Sequence, residues 1–298
     1  MSRRGTSGRS SRSGRSQAVP LWCSSTYSFL EGASDPAELV TCAGALGHPA
    51  VGITDRNGLY GAVQAFAAWR DATEARNAAA EKVDAGKHQP EIRNEPEIRN
   101  SVEESLVGAC ARPLVGACVT LAPEVATGSA LVFARDREGY ANLCEVLSAG
   151  LLRNGKGNCS VYPGELAERC GGLVLVFVPD PDYPGSAAVE PLREAFAGRV
   201  YCGIARHSRA EDRVLEQLGR ELSDRWDIPR VATPHVLYHE KERRALQDVL
   251  TCIRHGCTLE EAGSRLLPNA EFALKSPEAM ERLYADEPEF HLNTLSNA

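Results

Sequence analysis

The chain has 298 residues, 43% of them hydrophobic and 24% charged, with a formal net charge of −7. That composition is ordinary for a globular protein and excludes a disordered or collagen-like chain. The longest uninterrupted apolar run, Leu173–Val178, is far short of the ~20 residues of a bilayer-spanning helix, so no membrane partner is expected. Residues 1–18 carry five arginines and no acid, which leaves −12 on the remainder. An acidic body is a poor partner for a phosphate backbone, so DNA is expected to be met only indirectly.

Residues 1–18 are serine, glycine and arginine without apolar periodicity, the composition of a disordered basic tail. From Val19 onward, seven short apolar runs read as strands: Pro20–Cys23, Ala50–Asp55, Pro113–Leu121, Ala130–Arg135, Gly172–Pro179, Arg199–Ala205 and Arg230–Thr233. A first helix starts at Ser34-Asp35-Pro36-Ala37-Glu38, with Ser34 as N-cap, and stops at Gly47. Asp136–Leu152, Arg209–Trp226 and Glu240–Arg254 read as amphipathic helices from the spacing of their Leu, Val and Ile residues. Alternation of this kind predicts a mostly parallel sheet, doubly wound or closed into a barrel.

The stretch 72–112 breaks the rhythm. Gln89–Asn94 is repeated as Glu95–Asn100, and Leu106–Cys110 returns as Leu114–Cys118. Repeats this short build no solenoid, and a surface loop absorbs them at little closure cost, so an inserted loop is expected. The ten cysteines are scattered, and Cys23, Cys118, Cys144 and Cys202 lie within apolar runs. They read as small core thiols in a reducing compartment, and a cytoplasmic location is expected.

Two loops follow directly on strands, where a barrel keeps its chemistry: Ser25–Ser34 and Gly52–Gly61. Asp55 and Asn57 could ligate a metal or phosphate there, but Asn57-Gly58 equally suits a turn with positive φ, which is the preferred reading. Asp180-Pro-Asp182 resembles paired metal-binding aspartates, yet its proline-punctuated setting reads as a turn. Gly155-Lys156-Gly157-Asn158 lacks the spacing and hydroxyl of a phosphate-binding loop.

Those two loops, with Gly139–Cys144, Leu246–Arg254, Leu266–Glu271 and Leu274–Met280, resemble the N-terminal PHP domain of bacterial C-family DNA polymerases. The error-prone branch of the polymerase III alpha subunits is the nearest. The likeness covers about residues 20–298 apart from the insertion. It implies a distorted seven-stranded (β/α)7 barrel, ending in a part that leads toward a polymerase core.

The resemblance also implies a trinuclear metal site, and here the sequence departs from it. The family's opening His-x-His falls on Trp22 and Ser24, Thr-Asp-His on Thr54-Asp55-Arg56, Gly-x-Glu on Gly116-Ala117-Cys118, and Asp-Val-His on His235-Val236-Leu237, while the carboxylate before Gly-Ala-Ser survives as Glu31. Such a site needs several imidazoles and carboxylates converging on one pocket. Trp22, Arg56 and Leu237 cannot coordinate, and Arg56 places a fixed positive charge where a cation would sit. The expectation is a degenerate pocket of Trp22, Ser24, Glu31, Asp55, Arg56, Cys118, His235 and Leu237. It would hold no cofactor, and Arg56 would pair with Glu31 or Asp55.

A rearranged zinc site from Glu31, Cys118 and His235, with Cys23 or His207 nearby, is the alternative. His235-x-x-x-His239 and Cys252-x-x-His255-Gly-Cys257 have ligand-like spacing but no Cys-x-x-Cys knuckle. Three functions follow as expectations. The first is a catalytically silent module that meets a polymerase core or replisome proteins in replication or translesion repair. The second is a metal-dependent phosphoesterase or 3′–5′ exonuclease with a rearranged site. The third is a truncated remnant without function. The family's palm carboxylates lie downstream of this domain, so no polymerase active site is expected within these residues.

Overall fold

The computed structural model describes residues 18–86, 110–122, 128–154, 157–180 and 190–290. Eight strands form one sheet: β1 (Trp22–Cys23), β2 (Ala50–Arg56), β3 (Arg112–Thr120), β4 (Ser129–Ala134), β5 (Leu173–Val178), β6 (Val200–Ile204), β7 (Arg230–Ala232) and β8 (His235–Val236). Their order is β7-β6-β5-β4-β3-β2-β1-β8. The two ends of that order are neighbours in sequence, so the sheet curls round and its edges meet at Thr233–Pro234. The expected seventh strand, Arg230–Thr233, is β7, and β8 is an eighth that was not expected. Proline lacks the N–H a continuous ladder needs, and the chain leaves β6 before it and joins β1 after it.

All pairings are parallel except those of β4, which runs antiparallel to β3 and β5. The link from β3 to β4, residues 121–128, is shorter than the dozen or so residues a parallel crossover requires. Among the described residues the helices are α1 (Pro36–Ala45), α2 (Ala62–Gly86), α3 (Arg137–Arg153), α4 (Pro163–Glu168), α5 (Glu190–Ala195), α6 (Asp212–Trp226), α7 (Arg244–His255), α8 (Leu259–Ala262) and α9 (Pro277–Leu283).

Alternation along the central strands divides the core. Ala130, Val132, Leu173, Leu175 and Phe177 pack outward on Leu143, Val146, Leu147, Leu192 and Leu222 of the helices. Leu131, Phe133, Val174, Val176 and Val178 point the other way and fill the inside of the curl with Leu21, Cys118 and Val231. Buried on both faces, β5 reads as an unbroken apolar run rather than an alternating one.

Several expectations are corrected. Asp35, not Ser34, caps α1: its backbone N–H donates to Glu38 Oε2 at 2.9 Å, and the Ser34 hydroxyl is taken by His239 Nδ1 at 2.8 Å. The helix α2 runs to Gly86, well into the stretch expected to be a loop; alanine-rich sequence has high helix propensity whatever its burial. The rest of the insertion, 87–109, lies outside the described residues, as do residues 1–17 of the tail and Asp182. Ala18 is fully buried and belongs to the core. The helix expected from Arg209 begins at Asp212, whose carboxylate accepts the N–H groups of His207 and Arg209. On α7 the apolar stripe faces outward, with Leu246, Val249 and Ile253 exposed.

Candidate functional site

The pocket is assembled from loops at the C-terminal ends of β1, β2 and β8. The β1 loop folds back tightly: a Cβ on Gly32 would lie 2.3 Å from the Ser25 carbonyl oxygen, so only glycine fits. Leu30 adopts φ +60° beside it, an uncommon conformation for a leucine. This turn brings Glu31 over the end of β2. There Arg56 holds it with two bonds, Nε to Oε2 and Nη2 to Oε1, both 2.5 Å. Burial acts to raise the Glu31 pKa, but the hydrogen bond and charge of Arg56 carry it below the usual carboxylate value.

Asp55 takes no part in that pair. It is 1% exposed, and its Oδ1 accepts from Ser25 N–H (2.7 Å), Ser25 Oγ (2.9 Å) and Ser28 Oγ (2.8 Å). Burial nevertheless raises its pKa, against those hydrogen bonds. Asp55 is thus the anchor of the Ser25–Ser28 turn. Asn57 is likewise structural: at φ +52°, it donates Nδ2–H to Thr120 Oγ1 at 2.9 Å and accepts Thr120 N–H at 2.8 Å.

On the opposite wall the Trp22 indole stacks on the His235 ring, centroids 4.0 Å apart and 11° from parallel. His235 Nε2 shares a 2.8 Å hydrogen bond with Ser24 Oγ. Its backbone N–H donates to His207 Nε2 at 2.9 Å, and His207 in turn stacks on Phe272 at 4.1 Å. Burial drives both imidazoles down, to about 3 for His235 and about 4 for His207, so both rings are neutral at pH 7. His207 escaped the sequence reading as a pocket residue of the first rank, because a histidine after β6 carries no local motif that points to β8.

Leu237 fills space with Ala33, Tyr238, Phe272 and Ala273. Cys118 pairs in register with Arg56 across β2 and β3, but its thiol sits in the inner core and burial pushes it up to about 11. Cys23 packs in a separate apolar cluster with Leu39 and Val51. His239 is turned to Ser34, away from His235.

The structure therefore gathers Glu31 with Arg56, and Trp22 and Ser24 with His235, while Asp55, Cys118 and Leu237 are absorbed into turn and core. These residues do not fit a metal cluster. The Arg56 guanidinium pairs with both Glu31 oxygens, His235 Nε2 is held by Ser24 Oγ, and the Cys118 thiol resists ionisation. Among the described residues no three His, Cys, Asp or Glu side chains are grouped so as to hold a metal ion.

The chain is 35% identical over 274 residues to an error-prone DNA polymerase of Rhodopseudomonas palustris, covering 90% of this chain and 21% of that protein. It is 34% identical over 296 residues to one of Ruegeria pomeroyi, covering 93% of this chain and 25% of that protein. The chain thus spans about a fifth to a quarter of the curated relatives it matches. A solved amidohydrolase from Chromobacterium violaceum aligns with a TM-score of 0.41 at 13% identity, over 74% of this chain and 87% of that one. The PHP domain model matches residues 21–177, more than half of the chain, and the chain belongs to the PHP domain family.

Proposed function

We propose that this chain is a non-hydrolytic PHP module of an error-prone polymerase system, acting in replication or translesion repair by contacting a polymerase core. The carrying observation is the bidentate Arg56–Glu31 pair. A fixed cation occupies the carboxylate that a metal site would need, and the guanidinium cannot give up its charge at any physiological pH. With Glu31 held by Arg56 and His235 Nε2 by Ser24 Oγ, the pocket offers no carboxylate free of a partner to ionise a water. Similarity to error-prone polymerases supports the choice of partner.

The test is hydrolysis of a single-stranded primer and of bis(p-nitrophenyl) phosphate by the purified chain, with manganese or zinc present. No turnover above buffer is expected, and no nucleotide incorporation on a primed template. Hydrolysis abolished by Glu31→Gln would overturn this reading. So would about one equivalent of zinc that survives dialysis and is lost on Cys118→Ser. Either result would favour the phosphoesterase or exonuclease alternative.

A further inference from the structure

We propose that the outward face of α7, formed by Leu246, Val249 and Ile253, is the surface on which the polymerase core docks; this rests on the reading just given. The helix is amphipathic but set on the body the wrong way round. Gln247, Thr251 and Cys252 are buried and Leu250 is half-buried against the Leu237–Phe272 cluster, while Leu246, Val249 and Ile253 are 42%, 43% and 59% exposed. Positions i, i+3 and i+7 form one continuous stripe, and Leu259, also exposed, stands just beyond it. Single exposed apolar residues are normal on a protein surface, but a stripe of them marks an interaction site.

The inward side is correspondingly poor. Gln247 Oε1 and Tyr238 Oη are buried without a hydrogen-bond partner among the described residues, and Arg244 Nε meets only the Asp248 carboxylate, at 3.8 Å. Buried polar atoms are expected to be paired. A helix serving this body alone would turn the other face inward, so the orientation makes sense when the outward face is buried against something else.

The position of α7 indicates what that is. Leu250 of this helix packs with Ala33 and Leu237, so the helix lies beside the pocket. Phe29 and Tyr60, from the loops that follow β1 and β2, are 84% and 64% exposed. The stripe itself holds no cation, and the chain is acidic, which disfavours nucleic acid as occupant. Relatives that match 90% and 93% of this chain devote only 21% and 25% of their length to that match. The remainder supplies a large protein body as the occupant.

Amide hydrogen exchange across Leu246–Ile253 tests the proposal. It is measured in the 298-residue chain and in two chimeras, in which the chain replaces the segment it matches in the R. palustris or R. pomeroyi polymerase. Expected is exchange about tenfold slower in a primer-extending chimera than in the chain alone. Val249→Glu with Ile253→Glu should abolish that difference and leave the melting temperature of the chain alone unchanged. Val214→Glu, on exposed α6, should leave the protection intact.

Equal exchange on α7 in an extending chimera, with protection elsewhere on the chain, overturns the docking face but leaves the module reading standing. No protection anywhere in an extending chimera overturns both, as does failure of both chimeras to extend while the chain alone is folded. Slow exchange already in the chain alone overturns the docking face too. If it is concentration-dependent the occupant is a second copy, and if not, the face is covered by the chain's own residues.

Discussion

At the scale of single residues, the pocket distinguishes two carboxylates that look alike in sequence. Glu31 is held as an anion by Arg56, whereas Asp55 serves as an acceptor for a serine turn. Asp55→Ala should cost about 2 kcal/mol in urea unfolding, because the Ser25 N–H loses its partner in a buried position. Asp55→Asn keeps an oxygen for that N–H and removes a charge whose pKa burial has raised. An acid raised in the folded state contributes stability below its unfolded pKa and loses it as pH rises through the folded one. Asp55→Asn should therefore be at least as stable as wild type at pH 7, as read by urea unfolding. His207 and His235 act in the opposite direction. Their folded pKa values, about 3 and about 4, lie below the ordinary 6.5, so the unfolded chain takes up protons first as pH falls. Stability should be complete above 6.5 and fall between about pH 6 and pH 4 by roughly 1.4 kcal/mol per pH unit for each ring. His207→Gln should halve that slope in unfolding measured against pH. The Arg56–Glu31 pairing was one of two legible options, since both acids lie near strand ends. Only the tight turn at Gly32 decides which of them reaches the guanidinium.

At the scale of elements, α1 and α7 show how far apolar periodicity can be trusted. Both carry a clear stripe. Leu39, Val40 and Ala43 of α1 are buried against β2, and Leu39→Ala should destabilise by about 2–5 kcal/mol through loss of contacts and a residual cavity. Ile253→Ala on α7 should change stability by less than about 0.5 kcal/mol in the chain alone. Comparing the two variants by thermal unfolding checks the assignment of the faces. On α7 the helical period was readable in the sequence, but the direction of its stripe was not. Periodicity reports that a face is meant for burial and is silent on which body buries it. The N-cap of α1 slipped by one residue for a related reason. Ser34 and Asp35 are both good caps, and the choice fell to His239, which is 205 residues away in sequence and takes the Ser34 hydroxyl.

At the scale of the whole molecule, the far end of the chain ties the sheet to its flank. Tyr284 donates its hydroxyl hydrogen to the Ile204 carbonyl at 2.8 Å, and Arg206 bridges Glu216 and Asp286. Tyr284→Phe should cost about 1 kcal/mol in unfolding, the worth of one buried hydrogen bond. Seven strand segments, the pairing of most with helices, and the family were all legible in sequence, because local apolar runs and strand-end motifs are short-range signals. The antiparallel setting of β4 was not, nor β8, which follows Pro234 and pairs with β1 at the other end of the sheet order. These depend on pairings between residues far apart, such as Trp22 with His235, and no local pattern encodes the partner. The sequence by itself determined that Trp22, Arg56 and Leu237 could not be ligands, since that follows from side-chain chemistry alone. Only the tertiary structure decided that Arg56 would take Glu31, that Trp22 would lie flat on His235, and that Cys118 would sink into the core. Those outcomes turn on distance and burial, which exist only once the strands have met.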